Sequence, residues 1–505
     1  MEINSICIVG GGSSGWMTAA AFVKKFPHYK VCLIESKDKP PLRVGESTLA
    51  HFNSYLDCIG VKDREWMPSC NATYKISIQF TNWKNQGDVF QYPFGREDYT
   101  YGDAYEWYCN RQMMPDIFGD STFSEFYNPI TYLANANKIV DNNEYIRNFD
   151  KKWDTAYHFD AQKFGGWLRD NICKTVENII DEISGCEYKE DGTIKHLWGN
   201  DGNKYEADYY IDCTGFSSLL LGQFRGNEFI EFPELPNDSA VSAHISYKDK
   251  WKEMINSTDG YALPEGWVWT IPLWDRISKG YVYSSKFTDK DRAEKIFRDY
   301  LGDTCTPFAG DVNHIKFRHG RWNYGWIKNV IGVGLSYAFL EPLESTGLVS
   351  THETIMKLIN IFDRRSGHIT QIDVDGFNYT MGDAINTFKD FIALHYYLSP
   401  RTDSEYWKYY TQRSHLSENS TLYNNFICCY NRGDDLTNRR LGGLPYIAAG
   451  LGYHPSLPTN ISMVECQKSK VHYEEDKKKI LKYLETQPSH YDYLRQHIYS
   501  NLNYA

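Results

Sequence analysis

No stretch of the 505-residue chain approaches the roughly 18–20 uninterrupted apolar residues of a membrane-spanning helix, and its first residues lack the basic and apolar blocks of an export signal. Both absences argue against a membrane partner. Positive charge is also scarce: 54 Lys and Arg face 65 Asp and Glu, a net charge of −11. Nucleic acid is held by patches of Lys and Arg, and no such patch is visible, so nucleic acid is not an expected partner. The 12 cysteines are scattered singly apart from Cys428-Cys429, without a C-x-x-C pair or other metal-ligand spacing. No metal site is expected, and the thiols read as reduced ones in a cytoplasmic protein. Repeats and low-complexity linkers are missing as well, which predicts domains interleaved along the chain rather than strung out.

Aromatic residues are what the chain has in excess: 14 Trp, 39 Tyr and 26 Phe. With 42% apolar residues the chain excludes disorder and predicts a large folded core. At roughly 100–200 residues per domain its length fits two to four domains, or one large α/β body with an attached layer. Tyr and Trp combine an apolar body with a polar handle, so the surplus suits lined pockets or subunit contacts. An aromatic-rich core is the plain alternative.

The first 35 residues are the best organised. Ile3 to Val9 reads as a strand buried on both faces, Gly10-Gly11-Gly12-Ser13-Ser14-Gly15 as a turn, and Trp16 to Phe22 as a helix. A second strand, Val31 to Ile34, ends at Glu35, 20 residues after the last glycine. In such a unit Gly10 makes the tight turn, Gly12 lets backbone approach a pyrophosphate, and Gly15 lets helix and strand pack closely. The helix N-terminus faces the phosphates and Glu35 bonds ribose hydroxyls, so adenine-dinucleotide binding is expected. Three further segments, Arg43 to Thr48, Asp212-Cys213-Thr214-Gly215 and Gly332-Val333-Gly334-Leu335, would supply strand-end turns to the same crevice.

Elsewhere the reading is coarser. Helical spacing runs over Asp160 to Val176, Thr346 to Phe362, Phe388 to Tyr397, Ser404 to Tyr410 and Tyr473 to Leu494. Strands are expected at Ile194 to Trp198, Lys204 to Asp208, Tyr209 to Asp212, Val268 to Ile271, Gly280 to Phe287 and Val330 to Gly334, and Tyr74 to Ile78 alternates as one strand. A glycine-rich run, Leu441 to Pro455, interrupts the helical C-terminal third.

Two segments are more specific: Gly266-Trp267-Val268-Trp269-Thr270-Ile271-Pro272 and Phe339-Leu340-Glu341-Pro342-Leu343-Glu344-Ser345-Thr346-Gly347. With the N-terminal G-x-G-x-x-G, the W-x-W-x-I-P motif resembles the flavin-dependent tryptophan halogenase family. The likeness extends to Val44-Gly45-Glu46, to the segment from Ala72 to Trp83, to Tyr92-Pro93-Phe94-Gly95 and to Ala156-Tyr157-His158-Phe159-Asp160, and it thins after about residue 410. The fold it implies is α/β: a Rossmann-like FAD-binding module of the flavin monooxygenase type with antiparallel sheet insertions, plus a mainly helical substrate-binding module. Residues 1–380 would form the first, with insertions at about 85–160 and 230–320, and residues 381–505 the second.

The resemblance further implies that reduced FAD, dioxygen and halide give hypohalous acid, which travels through an internal tunnel to an aromatic substrate. Lys75 matches the lysine that receives the oxidant. On the residues alone, burial among apolar neighbours would lower its pKa and favour a reactive amine, while a snorkelling surface lysine is the rival reading. Glu344 matches the catalytic glutamate, which would stabilise the ring cation or accept its proton; a helix N-terminal acid is the compatible plainer role, and Glu341 is the rival carboxylate. Thr346 and Gly347 match the halide site. Ser13, Ser14, Ser36, Arg43, Glu46, Leu335 and Leu348 complete the expected cofactor contacts. Phe94, Ser345, Trp267 and Trp269 belong to the substrate side or shield the flavin, the two tryptophans being equally readable as a core contact on one strand face.

Departures bear on the substrate. Tyr92 stands where the free-tryptophan enzymes carry His, and the C-terminal Leu444-Pro445-Tyr446-Ile447 and Gly450 to Tyr453 show no match to their amino-acid clasp. An electron-rich, indole-like aromatic other than free tryptophan is therefore expected. No second nucleotide-binding unit is visible, so a separate flavin reductase would supply reduced FAD, and a homo-oligomer is expected from size and class. A flavin-dependent aromatic hydroxylase and a non-catalytic flavin-binding protein remain the other readings.

Overall fold

The computed structural model describes residues 3–37, 45–96, 107–108, 111, 115, 122–304, 310–366, 368–411, 443–453 and 463–500. Its chain divides into two compact units, each assembled from three segments. The first holds residues 1–72, 159–232 and 318–388, and the second 73–158, 233–317 and 389–505. Among the described residues no helix is long and apolar enough to cross a membrane.

The first unit is built on a six-stranded sheet in the order Trp326–Ile327, Val330–Gly332, Tyr209–Asp212, Ser5–Val9, Lys30–Glu35, Glu177–Ile180. Its strands run parallel except for the antiparallel edge pair of Trp326–Ile327 with Val330–Gly332. The β-branched run of Ser5–Val9 lies at the centre with Ile6, Cys7 and Ile8 fully buried, as a strand covered on both faces requires. Register pairs Val9 with Ile34 on one side and Asp212 on the other, and Asp212 with Gly332, so the C-terminal ends of these strands line one edge. The helix Ser13–Lys25 is buried around most of its girth, Ala19, Ala20 and Ala21 completely. Helices Ala161–Asn171 and Val349–Arg365 complete the layer.

The second unit carries a seven-stranded sheet: Asn313–Lys316, Ser239–Ile245, Ile277–Tyr283, Gly266–Pro272, Ser257–Leu263, Ser77–Thr81, Val89–Pro93. All neighbours are antiparallel except Ser257–Leu263 with Ser77–Thr81. Ala293, Phe297 and Leu301 of the helix Lys290–Thr304 fill one face against Val241, Val268 and Tyr281. C-terminal aromatics are tied to the same sheet. Trp407 Nε1 donates to the Leu263 carbonyl at 2.9 Å, Tyr406 Oη to Asn237 Oδ1 at 3.1 Å, and Tyr410 Oη to the Pro236 carbonyl at 3.2 Å.

Several elements differ from the sequence reading. The single strand expected over Tyr74 to Ile78 is two, Thr73–Lys75 and Ser77–Thr81, in different sheets. Ile76 is the pivot: its N–H donates to the Asn256 carbonyl at 2.9 Å and its carbonyl accepts from Phe94 N at 2.8 Å. The helix expected from Tyr473 to Leu494 is also two, Met463–Glu485 and His490–His497, because Pro488 interrupts it and Ser489 caps the second through Asp492 N at 3.1 Å. Within the glycine-rich run a short helix forms over Leu444–Gly450, with Pro445 in its first turn, where a missing N–H costs nothing.

Candidate functional site

The glycine turn is shaped by close approach. Gly10 has φ +117°, and a Cβ there would sit 2.3 Å from the Cys213 carbonyl oxygen; one on Gly15 would sit 1.9 Å from that of Gly10. Gly12 is different: a Cβ would meet nothing within 4 Å. Open space therefore lies beside the start of the helix Ser13–Lys25, whose first amides receive no side-chain cap. Free amide donors at the positive end of a helix dipole suit a pyrophosphate, and the described residues fit an adenine dinucleotide there. Glu35 ends its strand with Oε1 accepting from Asn178 Nδ2 at 3.0 Å, while Ser36 donates to Glu182 Oε1 at 2.5 Å. Arg43 lies outside the described residues.

The turn at the next strand end is pinned by a residue not assigned a role from sequence. Asp212 is fully buried, and its carboxylate accepts from Thr214 N at 3.0 Å, Thr214 Oγ1 at 2.7 Å, Leu220 N at 2.7 Å and Leu221 N at 2.9 Å. An acid directly before Cys-Thr-Gly was the available signal. Gly334, with φ +65°, opens the short turn that carries half-buried Leu335. A Cβ there would fall 2.5 Å from Ser14 Oγ and 2.7 Å from Thr351 Oγ1, two hydroxyls 3.1 Å apart.

The Glu-Ser-Thr-Gly loop forms in the same unit. Pro342–Glu344 makes one 3₁₀ turn, Ser345 adopts a left-handed φ of 57° with its N–H on the Pro342 carbonyl at 2.9 Å, and Thr346 Oγ1 donates to the Glu341 carbonyl at 2.9 Å. Helical structure begins only at Val349, later than the periodicity suggested, and Leu348 precedes it with no side-chain cap. Glu344, at the end of the 3₁₀ turn, is 1% exposed. Ser345 Oγ lies 3.1 Å from Ser47 Oγ, which joins this loop to the short strand Gly45–Ser47 that carries Glu46. Burial raises the Glu46 carboxyl to about 8, and a Cβ on Gly347 would lie 3.2 Å from its Oε2. A small, partly open cleft adjoins Thr346, lined chiefly by Phe339, Leu340, Val349, Met381, Ile385 and Phe388.

In the second unit Lys75 ends the strand Thr73–Lys75 with no exposed surface. Its Nζ lies 4.9 Å from the centroid of the Phe94 ring, so these two predicted residues are brought together in cation–π contact. Phe94 leads into an aromatic group: Tyr92 stands 6.4 Å from Phe94, 6.3 Å from Phe391 and 5.5 Å from Tyr446, which itself lies 5.2 Å from Phe123. Trp267 and Trp269 are 1% and 7% exposed on the strand Gly266–Pro272, and neither indole N–H has a hydrogen-bond partner among the described residues. Trp269 lies flat over Gly280, where a Cβ would come within 2.1 Å of its ring.

A family model described as tryptophan halogenase matches residues 5–494. The tryptophan 6-halogenase ThaL of Streptomyces albogriseolus is 30% identical, covering 98% of each chain. Among solved structures, the apo form of VirX1 superposes with a TM-score of 0.91 at 40% identity, over 99% of this chain and 100% of the other. Tar14, a tryptophan C-6 flavin-dependent halogenase from taromycin biosynthesis, does so with a TM-score of 0.84 at 28% identity, over 97% and 99%. The chain belongs to the tryptophan halogenase family and is a flavin-dependent halogenase.

Proposed function

We propose that the enzyme halogenates a neutral, electron-rich, indole-like arene, with Lys75 and Glu344 as its catalytic residues. The observation that carries this reading is Lys75 itself, wholly buried and seated against the Phe94 ring. FAD would be held by the amides at Gly10 to Gly15, by Glu35, by the strand that carries Glu46 and by the turns of Leu335 and Leu348. Bound reduced FAD supplies, with dioxygen and halide, the hypohalous acid; Thr346 and Gly347 hold the halide. Lys75 receives the oxidant, as a hydrogen-bonded acid or as a haloamine, and directs its halogen at the arene. As the carbon–halogen bond forms, the ring carries positive charge, and Glu344 accepts the proton from the same carbon. In the hydrogen-bonded form the Lys75 ammonium gives a proton to the departing hydroxide, which leaves as water; in the haloamine form that water left as the nitrogen–halogen bond formed. Tyr92 and Tyr446 pack on one another in the aromatic group and present no charge to an amino-acid zwitterion, which favours a substrate other than free tryptophan. Reduced FAD is delivered by a separate reductase. Cys7, Cys32, Cys58, Cys70, Cys173, Cys186 and Cys213 are free thiols, in keeping with a reducing cytoplasm.

Replacing Lys75 with Ala is expected to lower product formation by about 100-fold or more while FAD still binds, as read by mass spectrometry and flavin fluorescence. Unchanged turnover would sink the assignment. Chloride, bromide and iodide offered with indoles, phenols and free tryptophan test the substrate class: the free amino acid should be the poorer substrate by about tenfold or more.

A further inference from the structure

The strand Thr73–Lys75 pairs with Ala156–Asp160 so that Thr73 faces His158 and Lys75 faces Ala156. Cross-strand partners and residues two apart share a face, so these four side chains point to one side, and none of them is more than 0% exposed. Their hydrogen bonds determine a tautomer. Thr73 Oγ1 lies 2.7 Å from the Pro272 carbonyl oxygen, which can only accept, so the one hydroxyl proton is spent there. Toward His158 Nδ1, 3.4 Å away, the hydroxyl oxygen can then only accept, and Nδ1 must carry hydrogen. Nε2 lies 2.8 Å from Thr258 Oγ1. Burial, then the nearby Lys75 and His490, outweigh a hydrogen bond to the Pro272 carbonyl and hold the imidazole well below the usual histidine range, so with Nδ1 protonated Nε2 is bare and accepts. His490 is itself buried and lowered to about 4, so Lys75 is the other titratable group facing His158.

We propose that His158 is a positioning residue: as a fixed Nδ1–H imidazole it clamps Thr73, and with it the strand end that bears Lys75, to Pro272 of the W-x-W-x-I-P motif. The motif then has a second task, seating the lysine strand. A four-carbon side chain delivers its nitrogen accurately only if its backbone is held. The inference rests on reading Lys75 as the residue that receives the oxidant.

Two measurements test it. In the protein labelled with ¹⁵N-histidine, with the signal assigned through His158→Asn, the Nδ1–H neutral pattern should persist from about pH 5.5 to 8.5. A titration in that range, or the Nε2–H tautomer, overturns the proposal. In turnover with a thiol trap, His158→Leu should raise the ratio of trapped oxidant to halogenated arene by about tenfold, and His158→Asn, whose amide N–H can reach the Pro272 carbonyl, should recover most of it. A general folding defect would lower both products together and leave the ratio alone. If His158→Leu does not fold, His158→Gln takes its place in the comparison. Lys75→Ala separates the two readings: if it leaves the ratio unchanged, the role of Lys75 falls and this inference with it. If Lys75→Ala raises the ratio while the His158 variants keep the wild-type value, only the positioning role is refuted.

Discussion

Glu46 is the residue whose protonation most directly couples the site to pH. An unfolded chain ionises this carboxyl near its ordinary value of 4.5, while the folded protein keeps it protonated up to about 8. Between those values the folded state binds more protons, so stability falls as pH rises through that window. Glu46→Gln cannot ionise, and the cofactor-free variant should gain on the wild type progressively from pH 5 to 8, ending about 1–3 °C higher in Tm by calorimetry. A gap that does not change with pH would refute the raised carboxyl. At this scale the sequence pointed to Glu46 through its neighbours in the family motif, and could not show the burial, because the atoms that enclose it come from remote segments. Ser345 is similar: its motif was legible, its left-handed φ of 57° was not.

At the scale of elements, the Trp strand Gly266–Pro272 is held by its partner Ile277–Tyr283 through a pairing of opposite sizes, Trp269 opposite Gly280. Substituting Gly280→Val places carbon within 2.1 Å of the indole, and should cost about 2–4 kcal/mol in denaturant unfolding. Trp269→Leu in the same chain should recover part of that loss, since the two sites couple directly. Alternation along this strand was plain in the sequence. The large-on-small pairing was not, because register depends on a hairpin partner that periodicity alone leaves free to slide. The same reason explains why Tyr74 to Ile78 looked like one strand: Ile76 changes sheet only because Asn256 and Phe94 take its backbone bonds.

For the whole molecule, the aromatic surplus resolves largely into core. Trp66, Trp83, Trp107, Trp267, Trp326 and Trp407 are all under 2% exposed, and Tyr406, Trp407 and Tyr410 bind to Asn237, Leu263 and Pro236, more than a hundred residues earlier. A chain cut at residue 388 should therefore lose its soluble fraction on expression, because the second unit would keep its sheet without these aromatics; a soluble, cooperatively unfolding product would contradict this. What the sequence by itself determined is what depends on near neighbours. The glycine turn, its flanking strands and its helix are dictated by steric demands within a few residues, and there reading and structure agree. Only the tertiary structure decided the setting of Lys75. Thr73 meets His158 85 residues away and Pro272 199 residues away, and no local preference encodes a contact that exists only once the sheets have closed.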